Sequence, residues 1–478
     1  MFNSFLWDFF SRFSNQLIGF VVSVFLTRLL SPEDFGIMGI AWVMISISTL
    51  FADLGLGKAI IQQKEISNRQ LSTVFFLNLG ISLFFVGICF FLAHPLAVFF
   101  KQPRVEPVVQ MISLSFLFYG LNMVPNAMLY RKMKFRATSI ISVTAAFISG
   151  ITGIYLAMNG YGVWSLVMQT LTAALLTLVF TFLYLRWLPQ LIFILSEIKS
   201  MWVYSSRLFI SGLIDTVFAR LDIFLIGKMY TTATLGYYTR AQSLDRVVRE
   251  TSSESLVSVL FPYLSREQDN IDNTRRLYIR YLHIISFISF FLCGLLYVTA
   301  APLFHILFTA RWDEAAQLFK ILTIAGFAYP VSSLMVNILS ARGNSKAFLR
   351  LELLKRTLFI PAYILGFFIG LNGFVYSLTG AVILSVLLNT LFVDKEIQLP
   401  YLNQLKIMAI YGLSAGAITF LSVIISDIDL VDGQWSKLIL HGGVFSGLFI
   451  LTHFSFKTQG YQLVIEKLKQ IAINGQRN

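Results

Sequence analysis

The chain has 478 residues, of which 56% are hydrophobic and only 13% charged, with a mean hydropathy of +0.74. Soluble domains carry about 25% charged residues, so these values exclude an ordinary water-soluble fold. The net charge of +13 does not indicate nucleic acid, because Lys and Arg lie in short loops between apolar runs and form no basic domain.

A membrane helix needs about 20 predominantly apolar residues. Runs of that length fall near 9–30, 36–57, 74–98, 108–129, 137–158 and 162–185. They continue at 203–228, 234–262, 281–308, 316–340, 352–371 and 373–393, and finish at 406–426 and 437–456. The pattern predicts an all-α polytopic membrane protein of about 14 transmembrane helices. The opening MFNSFLWDFFSRFSNQ has neither a basic n-region nor a small-residue cleavage site, so no cleaved signal peptide is expected. Two runs are irregular: 36–57 holds glycines and Asp53, and 234–262 holds many charges. Loop charges argue for keeping both. With both termini cytoplasmic, 24 Lys and Arg residues fall on the inner side and six on the outer, and the bias alternates along the whole chain.

An internal repeat organises the runs. A shift of 200 residues lays 27–41 over 227–241, so that Gly36 meets Gly236, Ala41 meets Ala241 and Arg28 meets Lys228. The fourth span of each half ends alike, in Asn126-x4-Arg131 and Asn337-x4-Arg342. This predicts two six-helix lobes, 1–200 and 201–394, around a central cavity, followed by 395–478 with two further helices and a cytoplasmic tail. Because six is even, the lobes would share orientation about an axis along the membrane normal.

The stretch 206–255 carries charges that a lipid-facing helix does not tolerate, at about 2.5–3.5 kcal/mol for each central Arg or Asp. Arg207, Asp215, Arg220 and Asp222 precede Arg240, Asp245, Arg246, Arg249, Glu250 and Glu254. Asp215 and Asp222 stand seven apart, the spacing of one helix face. Arg246, Glu250 and Glu254 follow i,i+4 spacing, as do Asp245 and Arg249. Two readings stay open: these groups line a polar cavity, or they neutralise one another and only knit the bundle. Arg220 and Arg240 are the best candidates for binding an anion, since the i+4 neighbour of Arg240 is Leu244. Arg12, one turn from Gln16, lines the cavity or snorkels. Asp53 is a protonation or cation site, or pairs with Lys58.

Other chemistry finds little support. Cys89 and Cys293 lie inside apolar runs without partner spacing. The five histidines show no metal-ligand pattern, so no metal site is expected. There is no P-loop and no nucleophile–base arrangement, so neither ATP hydrolysis nor any other enzymatic step is expected.

Several motifs together resemble a known family. They are Leu30-Ser-Pro-Glu-Asp-Phe-Gly36, Asp53-Leu-Gly55, Leu221-Asp-Ile-Phe-Leu-Ile-Gly227, Leu235-Gly-Tyr-Tyr-Thr-Arg-Ala241, Leu260-Phe-Pro-Tyr-Leu-Ser-Arg266 and Arg311-Trp312. They are similar to the polysaccharide transporter family, which holds the Wzx-type and colanic-acid-exporter-like flippases of the multidrug/oligosaccharidyl-lipid/polysaccharide superfamily. The resemblance implies alternating access in the bacterial inner membrane, carrying an undecaprenyl-diphosphate-linked oligosaccharide from the cytoplasmic to the periplasmic leaflet. It implies a V-shaped cationic cavity, for which the charges of this sequence offer Arg220, Arg240, Arg246, Arg249 and Arg12. The acids Asp215, Asp222, Asp245, Glu250 and Asp53 would compete with phosphate or couple transport to H+ or Na+. Polymerase and chain-length proteins of polysaccharide export are the expected partners, beside the bilayer. One departure is that the second span lacks the charges of the eighth. Two rivals remain: a cation-coupled antiporter of small organic molecules on the same fold, and a non-transporting assembly partner in an export complex.

Overall fold

The computed structural model describes residues 2–246, 249, 270–342, 344–427 and 431–475. Among them the chain is helical and contains no strand. It divides into two compact units, Met1–Thr239 and Arg240–Asn478.

The first unit contains α1 (Phe2–Leu29), α2 (Pro32–Asp53), α3 (Leu56–Gln62), α4 (Asn68–Phe99), α5 (Val105–Arg131), α6 (Phe135–Met158) and α7 (Val163–Leu185). These are followed by α8 (Lys199–Phe218), α9 (Leu221–Met229) and the start of α10 (232–246), inside which the unit boundary falls. Local chemistry sets the helix ends. Ser31 and Ser67 open α2 and α4 with capping boxes, each hydroxyl accepting from the N3 amide while Asp34 or Gln70 accepts from the cap amide. Leu54 and Gly55 both adopt positive φ, 46° and 74°, and this turn splits the predicted run 36–57 into α2 and α3. The run 203–228 likewise breaks at Ala219–Arg220. Within the unit, α5 packs against α2, α4 and α7, and α6 packs against α1 and α7.

The 200-residue repeat is expressed as physical contact in this unit. A Cβ on Gly36 would run into the carbonyl of Thr232, and a Cβ on Gly236 into the carbonyl of Pro32. Those carbonyls lie four residues before each glycine, so the contact is reciprocal. Two helix backbones can approach this closely only where side chains are absent. The pairing extends along both helices: a Cβ on Gly39 would lie 3.0 Å from Cγ2 of Thr239, its counterpart under the same shift. The caps correspond too, Thr231 Oγ1 accepting from the Thr234 amide as Ser31 Oγ accepts from Asp34.

The second unit continues with α11 (Ile271–Phe308), α12 (Asp313–Ile324), α13 (Ala328–Ala341), α14 (Ser345–Gly366), α15 (Gly370–Ile397), α16 (Tyr401–Asp427), α17 (Gln434–Ser455) and α18 (Gln459–Gly475). At 38 residues, α11 is about 57 Å long and outruns the ~30 Å hydrocarbon core. It is the hub of this unit, touching α12, α13, α16, α17 and α18. The predicted run 316–340 is broken around Gly326 into α12 and α13. Buried polar pairs fasten the hub: Tyr278 donates to Gln404 at 2.8 Å, and His283 Nδ1 meets Tyr411 Oη at 2.8 Å. The Gly460 amide donates to that same Tyr411 oxygen at 2.9 Å, docking α18.

Ten helical segments among the described residues are long and apolar enough to cross a membrane. Large apolar side chains such as Phe91 (85% exposed) and Leu413 (75%) cover their outer faces. Such a surface is stable only in lipid. The chain is a multi-pass membrane protein.

Candidate functional site

The charges of 206–255 fall into separate settings. The carboxyl of Asp222 occupies the first turn of α9, where the helix dipole favours an anion. It is buried, accepts from the Ile223 amide at 2.8 Å, and takes the Tyr238 hydroxyl at 2.6 Å. Asp222 thus ties α9 to α10. Asp215 is exposed on α8. The expectation that Asp215 and Asp222 share one helix face does not hold, because the helix breaks between them and the i,i+7 geometry is lost. Arg220 stands at that break, half-buried. Arg12 is exposed on α1.

On α10 the charges turn inward within the second unit. The guanidinium of Arg240 bonds Ser243 Oγ and lies 5.4 Å from the centre of the Phe308 ring. Asp245 and Arg249 form the ion pair that their i,i+4 spacing predicts, at 2.9 Å. Asp245 is buried, and the Arg249 guanidinium stacks 4.1 Å over Tyr329. The pair borders a cavity of about 20 Å³, lined also by Ser289, Cys293, Thr323 and Pro330, which is room for roughly one water. Arg246 is half-buried beside them. Glu250 and Glu254 lie outside the described residues, so the predicted series from Arg246 cannot be followed past its first member.

A second polar site occupies the first unit. Asp53 closes α2, and its Oδ1 accepts from the Gly57 amide at 2.8 Å across the Leu54–Gly55 turn. Asp53 and Lys58 lie on a cleft of about 400 Å³ with Thr49, Tyr119, Asn122, Asn126 and Tyr130. Of these side chains, Tyr119, Asn122 and Tyr130 escaped the sequence reading, and Asn126 entered it only as a mark of the repeat. Their spacing along α5 is a legible signal, but uncharged amides and tyrosines do not stand out in an apolar run as charges do. The ring partners Phe308 and Tyr329 were likewise hidden among 46 Phe and 19 Tyr residues.

The chain is 24% identical over 94% of its length to an uncharacterized membrane protein in the cps region of Klebsiella pneumoniae, covering 93% of that protein. It is 23% identical over 73% of its length to the lipopolysaccharide biosynthesis protein WzxC of Escherichia coli (strain K12), covering 71% of it. Among solved structures, the lipid II flippase MurJ in an inward closed conformation superposes with a TM-score of 0.71 at 16% identity, over 96% of this chain and all of that one. An inward-facing multidrug resistance MATE family transporter of the MOP superfamily gives 0.64 at 14%, over 80% of this chain and 94% of that one. At such identities these two likenesses establish the fold. The model described as polysaccharide biosynthesis protein matches residues 25–317, well over half of the sequence, and the chain belongs to that family.

Proposed function

We propose that the chain is a flippase that moves an undecaprenyl-diphosphate-linked oligosaccharide from the cytoplasmic to the periplasmic leaflet of the bacterial inner membrane by alternating access. The observation that carries this reading is the pair of inward-turned arginines on α10, Arg240 against Phe308 and Arg249 against Tyr329. Guanidinium groups held in an apolar unit are matched to diphosphate, which they bind through charge-assisted, often bidentate hydrogen bonds. Release also needs provision, and Asp245 supplies it by competing with phosphate for Arg249. Family membership and the names of WzxC and MurJ support the substrate class.

The finer topology belongs to the same proposal: fourteen spans, cytoplasmic termini, lobes 1–200 and 201–394, and the appended 395–478. So do Arg220, Arg246 and Arg12 as further cavity cations, coupling to H+ or Na+ through the acids, and association with polymerase and chain-length proteins. The antiporter rival shares the fold, but it calls for a net acidic cavity, whereas the sequence from 203 to 266 holds Arg207, Arg220, Arg240, Arg246, Arg249 and Arg266 against Asp215, Asp222, Asp245, Glu250 and Glu254, a balanced to slightly basic set.

Complementation of a strain lacking its own exopolysaccharide or O-unit flippase tests the reading. Wild type restores surface polymer. The Arg220→Ala/Arg240→Ala variant accumulates lipid-linked intermediate in the cytoplasmic leaflet at normal protein level. Failure of wild type across several sugar backgrounds, together with resistance to cationic dyes, would overturn it in favour of the antiporter.

A further inference from the structure

We propose that the cleft beside Asp53 is a carbohydrate subsite that receives an uncharged sugar ring of the transported head group, an inference that rests on the transport reading above. Tyr119, Asn122, Asn126 and Tyr130 are spaced at three and four residues, so α5 turns one polar stripe into the cleft. The side-chain oxygen of Asn122 is buried and has no hydrogen-bond partner among the described residues. A buried amide oxygen left unsatisfied is costly, and turning the Asn122 amide toward the cleft lets a donor bound there remove the cost. Sugar hydroxyls are such donors, and they also accept from amide NH2 groups, which Asn122 and Asn126 supply. The tyrosine faces add flat surfaces suited to the C–H face of a pyranose ring. The volume of about 400 Å³ lies within the ~300–1,000 Å³ of small-molecule sites.

Charge decides against the other ligand classes. The carboxylate of Asp53 and the ammonium of Lys58 border the same cleft and offset each other. A diphosphate would need surplus cation, and the arginine that follows Tyr130 on α5 is already committed. Arg131, next to Tyr130, donates to the carbonyls of Ile60 at 2.9 Å and Lys64 at 2.8 Å, and also to Gln63, closing the end of α3. An organic cation would need an unopposed carboxylate, and Lys58 removes that. A neutral polyhydroxyl ligand fits what is left.

The test uses full-length protein in lipid nanodiscs and three probes: undecaprenyl diphosphate carrying one hexose, one N-acetylhexosamine, or no sugar. Wild type binds at least one glycosylated lipid more tightly than the bare one. Asn122→Ala/Asn126→Ala weakens that lipid about tenfold and leaves the bare lipid unchanged. Tyr119→Phe, which removes only a hydroxyl and keeps the packing, weakens it about threefold. If both variants bind glycosylated and bare lipid as wild type does, or weaken both equally, the subsite is overturned. If wild type binds none of the three probes, the transport reading itself falls.

Discussion

Helices α2 and α10 begin as copies of one another and end as opposites. Through the 200-residue shift, Ser31 matches Thr231 as cap, Gly36 matches Gly236 as crossing point, and Ala41 matches Ala241. Beyond that point Ile45, Ser46 and Thr49 of α2 stand where α10 has Asp245, Arg246 and Arg249. The shared half is fixed by backbone contact, which a duplicated helix cannot abandon without losing its partner. The divergent half carries the charges, and charge inside an apolar membrane unit is costly enough to mark a candidate site. The two helices are therefore alike at their beginnings, and the candidate functional difference lies at their ends.

The sharpest way to break the shared half is to add a methyl group. Gly36→Ala and Gly236→Ala each drive a Cβ into the facing carbonyl, and no flexible side chain is available to yield. Each is expected to destabilise the protein by more than about 3 kcal/mol, at the upper end for overpacking. Reciprocity adds a second expectation. Either substitution separates the helices in the same way, so the double variant falls well short of the sum. Thermal unfolding of the detergent-solubilised protein reads both. Additive losses would mean that the two glycines do not share one contact.

The divergent half is tested by its ion pair. Asp245→Ala leaves the Arg249 guanidinium without its carboxylate in an apolar setting and is expected to cost about 3 kcal/mol. Arg249→Ala leaves the buried Asp245 with only the weaker attraction of Arg246 and costs somewhat less, while Asp245→Ala/Arg249→Ala recovers most of the loss. If the double variant folds well yet no longer restores surface polymer, the pair serves transport. If it also restores polymer, the pair only knits the bundle.

How much of this was legible depends on what kind of signal a residue leaves. The helices were, because an apolar run interrupted by charged loops is conspicuous, and so was the i,i+4 pair Asp245–Arg249. The Gly36–Gly236 match was visible as alignment, but that the two residues touch was not, since a repeat states equivalence and not proximity. The breaks at Leu54–Gly55, Ala219–Arg220 and Gly326 went unread because hydropathy averages across them. The second of these misplaced Asp215 relative to Asp222. The stripe Tyr119–Asn122–Asn126–Tyr130 was missed for a different reason: in a chain this apolar, charge draws attention that neutral polar groups do not.

The smallest expected effect separates structure from coupling at Asp53. Its counterpart in the sequence under the shift is Ser253, so the carboxylate is not part of the repeated pattern. Its Oδ1 accepts the Gly57 amide, a bond that an Asn oxygen also makes. Asp53→Asn should therefore cost less than about 1 kcal/mol, the difference between a charged and a neutral acceptor for one backbone donor. Asp53→Ala, which deletes the acceptor, should cost about 1–2 kcal/mol by releasing the turn into α3. If Asp53→Asn keeps both the melting temperature and full surface polymer, the residue is a turn acceptor and its charge is incidental. Wild-type stability with polymer abolished would instead assign the charge to ion coupling. In that case α2 would carry a functional group of its own at its end, as α10 does.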